Sequence, residues 1–210
     1  MSNKQTQLYS HHKQHTEEIL AVRRTTLFQN VPVWQGIKQN IFDSFATTVQ
    51  QHAAFIPRAH AETNPAYKQI IPYMVFRFEQ KLFVMQRKNT ISEQRLANKF
   101  SLGIGGHIRQ QDIVNNDIFT WAQREFKEEV SYSGSLKVFK IGVLNDESTE
   151  VSKVHLGMIL LLQGDNDQIF IKDEHKSGVL LTINECLALY SQMESWSQIL
   201  LQSLDLITLH

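Results

Sequence analysis

The chain carries one cysteine, Cys186, among 210 residues, so it can form no internal disulfide and has no thiolate framework for zinc. Cys186 lies in an apolar, helix-like stretch, where a small buried hydrophobe is expected rather than a nucleophile. An excess of either charge is also missing: Lys plus Arg and Asp plus Glu each number 21, giving a formal net charge of zero. This excludes a whole-domain basic footprint, the usual mark of a nucleic-acid binder, though not a local basic patch. No apolar run reaches the roughly 20 residues that span a bilayer. The longest, Leu156 to Leu162, suits a buried strand. The first residues are polar and lack the apolar core of a secretory signal. The expectation is a cytoplasmic protein with no membrane partner.

What is present is ordinary globular composition, 42% hydrophobic and 20% charged, enough for a core of normal size. Residues 1–18 are rich in Gln, His, Lys and Ser and read as a flexible tail. Its His11, His12 and His15 have no fixed geometry for a metal. Ile19 to Phe28 reads as a strand. Ile37, Ile41, Phe45 and Val49 recur at helical spacing, with Phe42 widening the stripe, and predict a helix ending near Pro57. Ile70 to Phe78 and Leu82 to Arg87 read as a hairpin joined by Glu79-Gln80-Lys81. The cluster Gly103-Ile104-Gly105-Gly106 follows, and then a helix over Ile118 to Val130. Leu136 to Val143, Val154 to Gln163 and Gln168 to Lys172 read as strands, with a turn signal at Gly164-Asp165-Asn166-Asp167. Two helices close the chain, with capping boxes at Thr182 to Glu185 and at Ser195 to Gln198. Neither repeats nor an internal linker are evident. The pattern predicts an α/β fold: one sandwich domain with an N-terminal strand-helix extension, residues 19–68, packed on it.

The chemistry concentrates in Arg124-Glu125-Phe126-Lys127-Glu128-Glu129. On a helix, Glu125, Glu128 and Glu129 are spaced i, i+3 and i+4 and share one arc. Phe119, Ala122, Phe126 and Val130 form a neighbouring apolar face. Like charges in one arc repel, and a bound cation removes that cost. Mg²⁺ and Mn²⁺ prefer such oxygen ligands. Taken alone, the run also fits a solvated acidic face.

A strand, a Gly-Gly loop and an Arg-Glu-apolar-x-Glu-Glu helix together resemble the box of the Nudix, or MutT-like, hydrolases. Gly106 matches the opening glycine, and Arg124, Glu125, Phe126, Glu128 and Glu129 match the helical half. The step from Gly106 to Arg124 is 18 residues, four longer than the consensus. The first box glutamate is absent: the two counts land on Asp112 and Asn116, and Asp112 is its best substitute. Ser131 replaces the late glycine. Lys68 to Tyr73, Glu93-Gln94-Arg95-Leu96, Ser101 to Ile108, Val154 to Gly157 and Glu194 to Ser197 are similar to a branch described as predicted MutT-family phosphoesterases, which tolerates the longer loop.

The resemblance implies a Nudix α/β/α sandwich with a mixed sheet over residues 69–210. It also implies an enzyme that hydrolyses a pyrophosphate in a nucleotide-like phosphorylated small molecule. Glu125, Glu128 and Glu129 are then the expected Mg²⁺ or Mn²⁺ ligands. Arg124 orients them through Glu125 or Glu128, and the backbone of Gly105 or Gly106 approaches the metal. The water-activating base is one of these glutamates or an acid in a later loop, where Asp146, Glu147 and Glu150 lie. His107 suits phosphate or solvent, and His155 suits a hydrogen-bonded core position better than catalysis. Arg58, Glu62, Lys68, Arg87 and Arg95 suit substrate phosphate or surface equally. The alternative function is a catalytically weak nucleotide-binding module on the same fold. A homodimer through the N-terminal extension stays open.

Overall fold

The computed structural model describes residues 17–87, 99–110, 117–172 and 175–208. The tail up to residue 16, with His11, His12 and His15, lies outside the described residues, as do Glu93, Gln94, Arg95, Leu96, Asp112, Asn116 and the Arg87 side chain.

The sheet is built on β4, Tyr67–Phe78. Its side chains alternate: Ile70, Met74 and Phe76 enter one core cluster, Tyr73 and Val75 the other. This period of two is the strand's own geometry, so both faces must be covered. β5 (Lys81–Arg87) turns back from β4, and β10 (His155–Gly164) lies parallel to it with Leu156 opposite Ile70. β9 (Leu136–Asn145) joins β10 antiparallel. With β12 (His175–Thr182) and β2 (Gly36–Lys38) at the ends, the order is β12-β5-β4-β10-β9-β2, in a mixed sheet of ten strands among the described residues. β1 (Glu18–Arg23) pairs with both β3 (Ala54–Pro57) and β4. β6 (Phe100–Ser101) pairs with β5, and β7 (Gly103–Ile104) with β4. A separate ribbon joins β8 (Val130–Tyr132) to β11 (Ile169–Ile171).

Helices cover both faces. One core takes Phe42, Phe45 and Val49 of α2 (Phe42–His52) with Ile118, Trp121, Ala122 and Phe126 of α4 (Ile118–Glu129). The other takes Cys186 of α5 (Ile183–Ala188), Leu200 and Leu201 of α6 (Ser195–Leu201) and Leu206 of α7 (Asp205–Thr208). Fully burying one such side chain is worth roughly 1.5–3 kcal/mol. The result is the expected α/β/α sandwich.

Pro72 lies in β4 where neither β1 nor β7 pairs with it. That interruption suits a residue without an N–H. The glycine loop runs past this point: a Cβ at Gly105 would sit 2.0 Å from the Pro72 carbonyl oxygen. A buried network anchors the loop's upstream end. Glu194 Oε1 accepts from Tyr73, Ser101 and Ser197 hydroxyls at 2.9, 2.8 and 3.1 Å, and the Leu102 amide donates to Ser197 Oγ at 2.9 Å.

Several expectations need correction. Ile19 to Phe28 is a strand only to Arg23. Residues Arg24–Leu27 form a single helical turn, α1, because β4 supplies no partner beyond Tyr67. Ile37 belongs to strand β2, paired with Leu144, and a left-handed Asn40 (φ 59°) separates it from α2. That helix ends at His52, and the chain continues as β3 and a short turn, α3 (Arg58–Ala61). Glu79 adopts φ 51° in the hairpin turn, and Lys81 is already strand. β12 was not anticipated. Thr182 does form a reciprocal capping box with Glu185, but Ser195 does not cap α6. Glu194 occupies the cap position without a side-chain cap bond, its carboxylate being taken by the buried network.

Cys186 is fully buried, and burial pushes its thiol up to about 11. It should resist thiol-labelling reagents in the native protein and react only after denaturation, which a mass-shift assay reads directly.

Candidate active site

α4 presents the carboxylates. Asp117 opens it, accepting backbone N–H bonds from Phe119 and Thr120 at 3.3 Å each. Such a cap is worth about 1 kcal/mol, and only the sequence signal of an Asp before the apolar run announces it. The apolar side drives into the core, with Phe126 stacked on Phe76 of β4 at 6.4 Å. Glu125, Glu128 and Glu129 emerge along its edge.

Glu125 and Glu129 are each only 7% exposed, whereas the Glu128 side chain is 47% exposed. Arg124 holds two of the three: Nη2 bonds Glu125 Oε1, and Nη1 donates to Glu128 Oε2 at 2.7 Å. Nη2 also donates to the His107 carbonyl at 3.4 Å, tying the helix to the glycine loop. Arg109 adds a contact to Glu128 Oε2 at 3.4 Å, which the sequence did not announce. Gly106 closes over Glu125, where a Cβ would meet Oε2 at 2.6 Å. Burial raises the Glu125 carboxyl to about 7, Glu128 adding to the shift and Arg124 and Arg109 opposing it.

The other sequence candidates separate into distinct groups. Asp146 is fully buried; burial opposes its ionisation, but hydrogen bonds from Gln35 and Ser148 outweigh it and bring the carboxyl down to about 2. Glu147 is ionised more readily than usual: against burial it has Arg24 at 3.0 Å, Lys68 at 3.0 Å and Asn145 at 2.9 Å. Both acids therefore anchor the N-terminal segment to the β9 end. Glu150 is exposed and pairs with Lys153. Lys68 is fully buried on Glu147 and the His155 carbonyl, and Arg58 pairs with Glu17 and Glu62. His107 and His155 meet each other, Nε2 to Nε2 at 3.2 Å.

Among the described residues, no three His, Cys, Asp or Glu side chains gather closely enough to hold a metal. The chemistry of the helix nevertheless fits a hard divalent cation. The donors are all carboxylate oxygens, the glycine leaves open the space a side chain would fill, and Glu125 is a buried acid whose charged form lacks enough compensation.

No protein-family model matches the chain. The protein YmaB of Bacillus subtilis (strain 168) is 30% identical over 207 residues, which span 90% of this chain and 98% of the relative. Tm1382, solved as a candidate Nudix hydrolase, is 31% identical with a TM-score of 0.74, over 90% of this chain and 98% of its own. The chain belongs to the Nudix hydrolase family. At 10% identity the Nudix domain of NrtR from Shewanella oneidensis, crystallised with ADP ribose, shares the fold, with a TM-score of 0.53 over 66% of this chain and 86% of that domain. In this Nudix protein the loop between Gly106 and α4 is longer than the family consensus, and residues 111–116 of it lie outside the described residues.

Proposed function

We propose that the chain is a divalent-metal-dependent hydrolase cleaving a phosphoanhydride in a nucleoside-diphosphate-linked or related phosphorylated small molecule. The observation that carries this reading is Glu125, a carboxylate buried beneath Gly106 on the arc it shares with Glu128 and Glu129, poised to gain from a cation. Glu125, Glu128 and Glu129 would hold that cation, Mg²⁺ or Mn²⁺ by their oxygen chemistry. The chemistry such a cation supplies when bound is neutralisation of charge on phosphate oxygens and activation of water. Arg124 holds Glu125 and Glu128 in one orientation and fixes the loop through the His107 carbonyl. Gly106 leaves the approach to Glu125 unobstructed. Asp146, whose carboxyl is held down to about 2, and Glu147, paired with Arg24 and Lys68, are poor candidates for the base, which leaves that role to the helix glutamates.

A nucleotide-binding module without turnover is the second reading. It is favoured by Arg124 already pairing with two of the three carboxylates. A panel of nucleoside diphosphate and triphosphate derivatives, with ADP ribose included, separates the two. Phosphate or nucleotide release with Mg²⁺ or Mn²⁺, abolished by chelator, is the expected result. Ligand-induced rises in melting temperature without product would establish the binding module instead.

A further inference from the structure

A second polar cluster lies on the sheet beside the glycine loop. His107 follows Gly106, and His155 opens β10; their Nε2 atoms are 3.2 Å apart, with ring planes inclined by 50°. His155 Nδ1 lies 2.7 Å from the Val151 carbonyl. A carbonyl only accepts, so Nδ1 carries the hydrogen, and in the neutral ring Nε2 holds a lone pair. A hydrogen bond from the second ring nitrogen to a carbonyl is the arrangement that orients metal-binding histidines. The separation also fits. Two nitrogens 3.2 Å apart, each about 2.05 Å from a common ion, subtend about 100° at it, close to tetrahedral.

A third polar residue lies on the neighbouring strand. Gln69 is fully buried in β4, and neither its amide oxygen nor its amide nitrogen has a hydrogen-bond partner among the described residues. It is the register partner of His155 on the adjacent parallel strand, so both side chains leave the same face of the sheet. Buried amides are almost always satisfied, and one that is not calls for an unseen partner. Arg58 lies nearby, its charge met by Glu17 at 2.9 Å and Glu62 at 2.8 Å.

We propose that His107, His155 and Gln69 form a second cation site, separate from the helix glutamates, which takes a borderline transition ion of the Zn²⁺ class. Two imidazoles select such an ion, whereas the carboxylate arc selects Mg²⁺ or Mn²⁺. The remaining coordination is open to water or to a ligand oxygen. Because the His107 carbonyl accepts from Arg124, occupancy braces the loop that covers Glu125. The site stands on its own geometry and requires no catalytic activity.

The test is calorimetric titration of Zn²⁺ into the metal-stripped full-length protein in excess Mg²⁺. His11, His12 and His15 are replaced by asparagine throughout, to remove binding by the tail. One equivalent should bind. Its affinity should be unchanged in the Glu125→Gln/Glu128→Gln variant and fall by about 100-fold or more in both His107→Asn and His155→Asn. Melting curves without metal establish that the variants fold. If His155→Asn does not, His107→Asn, altered in a loop, decides alone. Equal Zn²⁺ affinity in the parent and the histidine variants would overturn the site and leave a plain imidazole–imidazole hydrogen bond. Loss of the equivalent in the carboxylate variant would also overturn it.

Discussion

In Glu125→Gln, metal-dependent turnover should fall by roughly two to three orders of magnitude, while the metal-free protein becomes more stable than the parent at pH 8. The first effect follows from removing a ligand charge. Metal stabilisation of transition-state charge is worth several kcal/mol, and about 1.4 kcal/mol is tenfold in rate. The second follows from burial. The Glu125 carboxyl is raised to about 7, so the folded protein binds its proton more tightly than the unfolded chain does. That contribution to stability is fully present below the ordinary value of 4.5 and is lost as pH rises through 7. At its largest it amounts to about 3 kcal/mol. Glutamine fills the same space and never ionises. It should therefore match the parent near pH 5 and exceed it at pH 8 by several degrees, at about 2–4 °C per kcal/mol for a chain of this size. Melting curves in chelator at both pH values check this, and Mg²⁺ should restore the parent alone. A variant less stable than the parent at pH 8 would mean that the Arg124 pairing outweighs the cost of burying the charge.

Two neighbouring glycines should fail in different ways when changed to alanine. At Gly105 the new methyl meets the backbone oxygen of Pro72 at 2.0 Å, and that oxygen belongs to the central strand of the sheet. Neither partner can move without distorting β4, so Gly105→Ala should cost about 1–3 kcal/mol or more, the range for overpacking. A melting temperature lowered by up to about 10 °C follows from the same scale of a few degrees per kcal/mol. At Gly106 the methyl meets Glu125 Oε2 at 2.6 Å, the far end of a side chain tied to Arg124 through Oε1, which yields more readily than backbone. Gly106→Ala should keep a near-parent melting temperature but lose the Mg²⁺-induced stabilisation expected of the parent. Denaturation with and without Mg²⁺ reads both. A destabilised Gly106→Ala with an intact Mg²⁺ response would contradict this division of labour.

Local periodicity revealed the elements whose stabilising contacts are near in sequence. The i, i+3, i+4 glutamates of α4, the β4–β5 hairpin, the apolar run of β10 and the Thr182 capping box are all of this kind. The elements it missed are held by remote partners. β2 is a strand because Leu144, more than 100 positions away, lies opposite Ile37. β12 begins with polar residues, and its ladder to β5 defines it. The site was legible to the same extent. Arg124 bonding to its own helix neighbours could be anticipated. Arg109 reaching Glu128, Gln69 left without hydrogen-bond partners among the described residues, and Asp146 and Glu147 serving as anchors all depend on tertiary placement.

The Glu194 network imposes an order on assembly. The segment leading into the glycine loop is tied by Tyr73, Ser101 and Leu102 to residues 194 and 197, well downstream of α4. A ribosome that has already released the whole of α4 still holds back the carboxylate that locks this segment. The glycine loop therefore gains its anchor only after residues 194 and 197 have emerged, and a nascent chain stopped before Glu194 carries the acidic helix without the brace for the loop that covers it.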